Sequence, residues 1–171
     1  LSREKTPKQI LPILGKDTLL QQTYQRLRGF FSRDDILVVT GKKYRAAVKA
    51  QLPGLPKENL LLEPARRDTA GAIGLAAAWL CGRCSKETMV SIHSDHWVSD
   101  DKSFVQIIKE LGRIALDKPE QTIVVGAKPA YPETGYGYIQ LDKKIVHPAL
   151  APQTKLLQVK GFKEKPDLKT A

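Results

Sequence analysis

Five polar segments carry residue types that could handle a phosphorylated substrate. The stretch Met89-Val90-Ser91-Ile92-His93-Ser94-Asp95-His96-Trp97 opens as an apolar run and closes on a polar cluster with an acid at its exit. That is how a buried parallel strand and its exit loop read. Open α/β sheets bind ligands outside the carboxyl ends of their strands. Asp95 therefore stands where a ligand for a metal or phosphate is expected, although a helix N-cap is the plainer use of the same acid. The basic loop from Arg3 to Gln9 presents Lys8 directly after Pro7, and a compact ammonium there suits the oxygens of a triphosphate. A solvated surface loop is the plainer alternative.

Glu63-Pro64-Ala65-Arg66-Arg67-Asp68-Thr69-Ala70 joins two arginines to a helix start. The free N–H groups of such a start could hold an anion or a base edge; a capped helix with two exposed arginines fits equally. Glu133-Thr134-Gly135-Tyr136-Gly137-Tyr138 has two glycines around a tyrosine, which lets a ligand approach the backbone closely, or simply makes a turn. In Phe162-Lys163-Glu164-Lys165-Pro166-Asp167 an acid beside a base could hold a sugar hydroxyl and a phosphate, or could be a charged strand end. Glu164 and Lys165 are adjacent, so the backbone must turn for both to reach one ligand. Pro166 biases Lys165 toward extended geometry.

Two other groupings are set aside. Ser91, His93 and Asp95 suggest a nucleophilic triad, but on one strand face they would lie ~6.6 Å apart, beyond hydrogen-bond reach. Cys81 and Cys84 with His93 and His96 suggest zinc. The cysteines end a helix and the histidines lie beyond the next strand, roughly 15 Å away. A helix C-terminus also disfavours thiolate, so both are expected to be reduced thiols in a cytoplasmic protein.

The elements that must position these groups alternate. Thr18 to Leu27 reads as a helix capped by Asp17, with Leu19, Leu20, Tyr24 and Leu27 on its apolar face. Ile36 to Thr40 reads as a strand, Lys43 to Leu52 as a helix, and Leu60 to Leu62 as a strand. Asp68-Thr69 then caps a helix to Leu80, rich in Ala and Gly and expected to pack tightly. The run that opens at Met89, with Asp95 at its exit, is expected as the next strand. Ser99-Asp100-Asp101 starts a helix to about Leu116, and Thr122 to Gly126 is a further strand. This is an α/β, Rossmann-like, mostly parallel sheet flanked by helices. Tyr138 to Leu141 and Leu156 to Phe162 lack an intervening helix and predict a small antiparallel extension.

The 171 residues suffice for one domain, and no apolar run approaches the ~18 residues of a membrane span. No secretory signal is visible. The net charge of +10 is scattered over a chain with 6% aromatics, which argues for anionic small ligands rather than nucleic acid.

Taken in order, Leu1-Ser2-Arg3, Pro7-Lys8-Gln9, Glu63-Pro64, Arg67-Asp68-Thr69-Ala70, Ser94-Asp95-His96, Glu133 to Tyr138 and Glu164-Lys165-Pro166-Asp167 resemble mannose-1-phosphate guanylyltransferases, within the sugar-1-phosphate nucleotidyltransferases. The resemblance covers essentially the whole chain. It implies GMP transfer from GTP to mannose 1-phosphate, giving GDP-mannose and pyrophosphate with Mg²⁺, in a cytoplasmic enzyme compatible with a homodimer and needing neither membrane nor nucleic acid. It further implies that Asp95 is the metal ligand and that Arg3 and Lys8 contact the nucleotide phosphates. Arg67, Asp68 and Thr69 belong to the guanine side, Gly137 and Glu164 contact mannose, and Lys165 contacts its phosphate. Lys8, Asp95 and Lys165 would form the catalytic set. Asn is commoner in the family than Asp68. Residues 1–171 are then expected to be an incomplete catalytic domain. The family's first strand with its Gly-rich loop would precede Leu1, and a C-terminal part would follow Ala171. A sister enzyme with another sugar or base, and a non-catalytic sugar-nucleotide-binding protein of the same fold, are the alternatives.

Overall fold

The computed structural model describes residues 7–13, 15–65, 67–84, 86–148, 150–151 and 154–171. Its helices are α1 (Leu19–Arg28), α2 (Arg45–Gln51), α3 (Asp68–Cys81) and α4 (Asp101–Asp117). Its strands are β1 (Val38–Gly41), β2 (Leu60–Glu63), β3 (Gly137–Ile145) and β4 (Leu156–Glu164). The chain divides into two compact units, Leu1–Val105 and Gln106–Ala171, with the boundary inside α4. The class is α/β, with a parallel pair β1–β2 in the first unit and an antiparallel pair β3–β4 in the second.

In the first unit β1 and β2 pair from Val38 opposite Leu60 to Gly41 opposite Glu63. Asn59, buried just before β2, helps set this register. Its amide donates to the carbonyls of Asp34 at 2.9 Å and Ile36 at 3.0 Å, in the turn that leads into β1. A buried amide satisfied by backbone acceptors fixes one geometry and is costly to misplace. The apolar face of α1 closes the core: Leu20 packs with Val48 and Leu52, and around them lie Ile10, Tyr24, Val38, Tyr44, Leu55 and Leu60.

Helix α1 is capped by Thr18, not Asp17. The Thr18 hydroxyl accepts from Gln21 N–H at 3.2 Å, and the Gln21 side chain accepts from Thr18 N–H at 3.0 Å. This reciprocal box satisfies two donors, which a lone Asp17 cap would not. The start of α4 is as expected: Asp100 accepts from Ser103 N–H at 3.0 Å.

Three expectations are corrected. Residues 89–93 and 122–126 are not strands, because neither run finds a ladder partner among the described residues. Val90, Val124 and Val125 are 45%, 46% and 55% exposed, so the apolar pattern marks what these runs could bury rather than what covers them here. Helix α3 is not tightly packed, since Ala76 is its one buried residue among those described. Its small residues leave it little side chain to interdigitate where it meets β1 and β2.

In the second unit β3 and β4 run antiparallel from Gly137 opposite Glu164 to Ile145 opposite Leu156, with irregular register between Gln140 and Lys144. Buried Glu110 of α4 accepts from Thr154 Oγ1 at 2.8 Å and Gln106 Nε2 at 3.1 Å. No helix among the described residues is long and apolar enough to cross a membrane.

Candidate functional site

Lys8 lies in a single 3₁₀ turn, Lys8–Ile10, after Pro7. Two contacts hold that turn. Ile10 packs on the core, and its carbonyl accepts from Gln51 Nε2 at 3.0 Å. Gln51 in turn accepts from the Thr18 hydroxyl at 2.7 Å. The α1 cap, the end of α2 and the lysine turn are thus one hydrogen-bonded assembly, and it presents Lys8 Nζ at 2.7 Å from Asp95 Oδ2. Two segments read separately in the sequence meet here.

Asp95 sits in a turn after residues 89–93, with its side chain 20% exposed. Burial alone would raise its carboxyl. The Lys8 hydrogen bond and charge, helped by His96 and His93, outweigh that and hold it below the ordinary carboxylate value. His96 Nε2 is 3.9 Å from Asp95 Oδ1, and the His93 and His96 rings lie 5.3 Å apart. Among the described residues no group of three or more His, Cys, Asp or Glu could cage a metal. Asp95 is a lone ionised carboxylate beside an ammonium.

The Arg67 segment begins α3 without a side-chain cap, which leaves first-turn N–H groups open. Asp68 has φ +53°, in the left-handed region that Asp and Asn enter more readily than other side chains. The family's commoner Asn and this Asp68 therefore suit the same backbone. A Cβ on Gly71 would lie 2.5 Å from Arg67 Cβ, so Gly71 is what lets Arg67 fold back over the helix start. Arg67, Asp68 and Thr69 are all exposed.

In the second unit Gly137 and Glu164 are register partners, and a Cβ on Gly137 would lie 2.7 Å from Glu164 Oε2. The glycine makes the space that the carboxylate occupies. The turn that Glu164 and Lys165 need in order to serve one ligand is present. Lys165 has φ +42°, its N–H donates to Tyr136 O at 3.1 Å, and its Nζ lies 3.7 Å from Glu164 Oε1. The extended backbone expected of Lys165 from Pro166 is corrected here, because the hydrogen bond to Tyr136 overrides that bias.

Arg3 lies outside the described residues. A cleft of about 330 Å³ is lined by Gln22, Gln25, Arg26, Gly29, Phe30, Val98 and Asp101, and contains none of the expected site residues. The sequence pattern marks His96 beside Asp95 but not Gln51 as a support of the Lys8 turn, nor Tyr138 as a structural tie. No pattern marks Gln51, and the motif that contains Tyr138 does not show where its hydroxyl goes.

The nucleotidyl transferase family model matches residues 1–171. The chain belongs to this family. Over its whole length it is 38% identical to the alginate biosynthesis protein AlgA of Pseudomonas putida, and 37% identical to a mannose-1-phosphate guanylyltransferase of Escherichia coli. It spans 34% and 36% of those two proteins, about a third of their length. A solved structure described as a mannose-1-phosphate geranyltransferase of Thermus thermophilus superposes with TM-score 0.77 at 33% identity, over 99% of this chain and 47% of that one. One described as a mannose-6-phosphate isomerase of Helicobacter pylori gives TM-score 0.68 at 25% identity, over 99% and 60%. The resemblance drawn from the motifs and the α/β class both agree with these relatives.

Proposed function

We propose that the protein transfers GMP from GTP to mannose 1-phosphate, giving GDP-mannose and pyrophosphate. The observation that carries this reading is the 2.7 Å contact between Lys8 and an ionised Asp95. One group is suited to a triphosphate and the other to a divalent cation. A single carboxylate fits Mg²⁺, which is usually held by one or two acids together with substrate phosphates and water. When bound, the cation would neutralise phosphate charge. Lys8 would contribute a fixed positive charge at the triphosphate, and Arg67, Asp68 and Thr69 with the open N–H groups of α3 would serve the guanine side. Gly137 and Glu164 would receive mannose hydroxyls, and Lys165 its phosphate.

The chemistry asks for positioning more than for proton transfer. The attacking group is a phosphate oxygen that is already anionic, so no general base is needed. It forms a P–O bond to the α-phosphorus while the α–β anhydride breaks in line and pyrophosphate leaves. Oriented cations at the developing charges supply the rate.

The test is steady-state kinetics of two variants in the full-length protein. Glu164→Gln loses charge-assisted bonds to sugar hydroxyls. It should raise KM for mannose 1-phosphate by ~10-fold and relax discrimination against glucose 1-phosphate. Lys165→Met should lower turnover with every sugar phosphate alike. Both should leave KM for GTP unchanged. Weakened GTP binding in both would place the motif on the nucleotide side and overturn the assignment.

A further inference from the structure

The segment that approaches the Glu164–Lys165 corner, residues 133–136, belongs to no strand and contains one of the two motif glycines. Its shape is nevertheless determined. The Tyr138 hydroxyl accepts from Glu133 N–H at 2.9 Å and donates to Glu133 O at 3.2 Å, so one phenol satisfies both backbone groups of a single residue earlier in the chain. Inside that tie, Gly135 N–H donates to Glu133 Oε1 at 2.9 Å and Tyr136 N–H donates to Glu133 O at 3.3 Å. Outside it, the Tyr136 carbonyl accepts from Lys165 N–H at 3.1 Å, the bond that holds Lys165 at φ +42°.

These contacts form one chain of positions. The phenol fixes Glu133, Glu133 fixes the turn, the turn fixes the Tyr136 carbonyl, and that carbonyl holds the unusual backbone of Lys165. A left-handed conformation on a side chain other than Gly is unfavourable and persists only where the surroundings enforce it. The Glu133 carboxylate is committed to Gly135, which makes it a shaping group within the loop. We propose that Tyr138 is a positioning residue for sugar-phosphate recognition, acting through Glu133 and Tyr136 on Glu164 and Lys165. This rests on the proposed function, in which that corner receives mannose 1-phosphate.

The test compares Tyr138→Phe, Glu133→Ala and Glu164→Gln in the full-length protein, with thermal unfolding beside the kinetics. Tyr138→Phe keeps the ring and removes both hydroxyl bonds. Its KM for mannose 1-phosphate should rise ~3–10-fold, the size expected from one or two net hydrogen bonds. KM for GTP should not change, and kcat should stay near the wild-type value. Glu133→Ala removes the side-chain bond to Gly135 N–H and should show the same split, which keeps the idea testable if one variant folds poorly. A merely structural tyrosine would lower the melting temperature and leave the two KM values in their original ratio; that result overturns the inference. If Glu164→Gln raises the sugar KM while Tyr138→Phe and Glu133→Ala do not, the positioning role fails and the proposed function stands. If none of the three moves the sugar KM, the sugar-end reading fails and the inference falls with it.

Discussion

The parallel pair β1–β2 and the hairpin β3–β4 place candidate groups in opposite ways. Around β1–β2 the groups come from loops far apart in sequence. Lys8 and Asp95 meet through an ion pair, with Gln51 and the α1 cap holding one side of it. Around β3–β4 the ladder itself does the placing. Gly137 faces Glu164 in register, and Tyr136 bonds Lys165 across the end of the hairpin. A site assembled from loops depends on charge and on a few long-range amides. A site built on a hairpin depends on register and on small residues. Substitutions should therefore fail differently in the two regions.

The largest effect is expected at Asp95. Asp95→Asn keeps the shape and removes the charge, so in the full-length protein it should lower turnover with GTP, mannose 1-phosphate and Mg²⁺ by roughly 10²–10³-fold, the scale of losing one electrostatic partner at a reacting centre. Circular dichroism should show an intact fold. Near-normal turnover would leave the loop-built cluster without its proposed role.

A matched pair of glycine substitutions sharpens the contrast. In Gly137→Ala the new methyl meets Glu164 Oε2, the mobile end of a side chain. The carboxylate should swing aside, with stability nearly unchanged and KM for mannose 1-phosphate up ~10-fold through lost hydrogen bonds. In Gly71→Ala the methyl meets Arg67 Cβ, which cannot move without its backbone. Alanine should gain about 1 kcal/mol from helix propensity, but the overlap should cost about 1–3 kcal/mol. A small net destabilisation is expected, read as a lower melting temperature, together with weaker GTP binding as Arg67 is displaced. Equal stability loss in both variants would erase the distinction.

What the sequence made legible follows the same division. The hairpin was readable because two strand-like runs, Tyr138 to Leu141 and Leu156 to Phe162, follow one another without a helix between them. Strands β1 and β2 were readable as apolar runs, and each has the other as its ladder partner, with Asn59 tying the start of β2 to the turn that leads into β1. Residues 89–93 and 122–126 carry the same apolar signal without such a partner, and an apolar pattern cannot supply one. The cap of α1 was misread by one residue, although Thr18 and Gln21 already had the spacing of a capping box. The backbone of Lys165 was misread because the bias that Pro166 imposes is weaker than a specific backbone hydrogen bond. Tyr138 was not readable at all, since nothing in a Gly-Tyr-Gly-Tyr run says which phenol closes back on Glu133.

The smallest expected effect concerns pH and the stability of the loop-built cluster. Burial pushes the Asp95 carboxyl up, but the Lys8 hydrogen bond and charge outweigh it and hold the group below its ordinary value. The native state therefore binds fewer protons there than the unfolded chain does. The resulting stabilisation is complete above the unfolded value of about 3.9 and is lost as pH falls through the lower folded value. Lys8 is 47% exposed at its side chain, so solvent screening limits the contribution to about 1 kcal/mol or less. Urea unfolding of the wild type and of Asp95→Asn should differ by a constant amount above about pH 5 and converge below about pH 4. Added salt should shrink the gap, because screening acts on exposed charges. A gap that persists unchanged in acid would mean that Asp95 stabilises its turn by shape and hydrogen bonding rather than by its charge opposite Lys8. The loop-built cluster would then be held in the same manner as the hairpin.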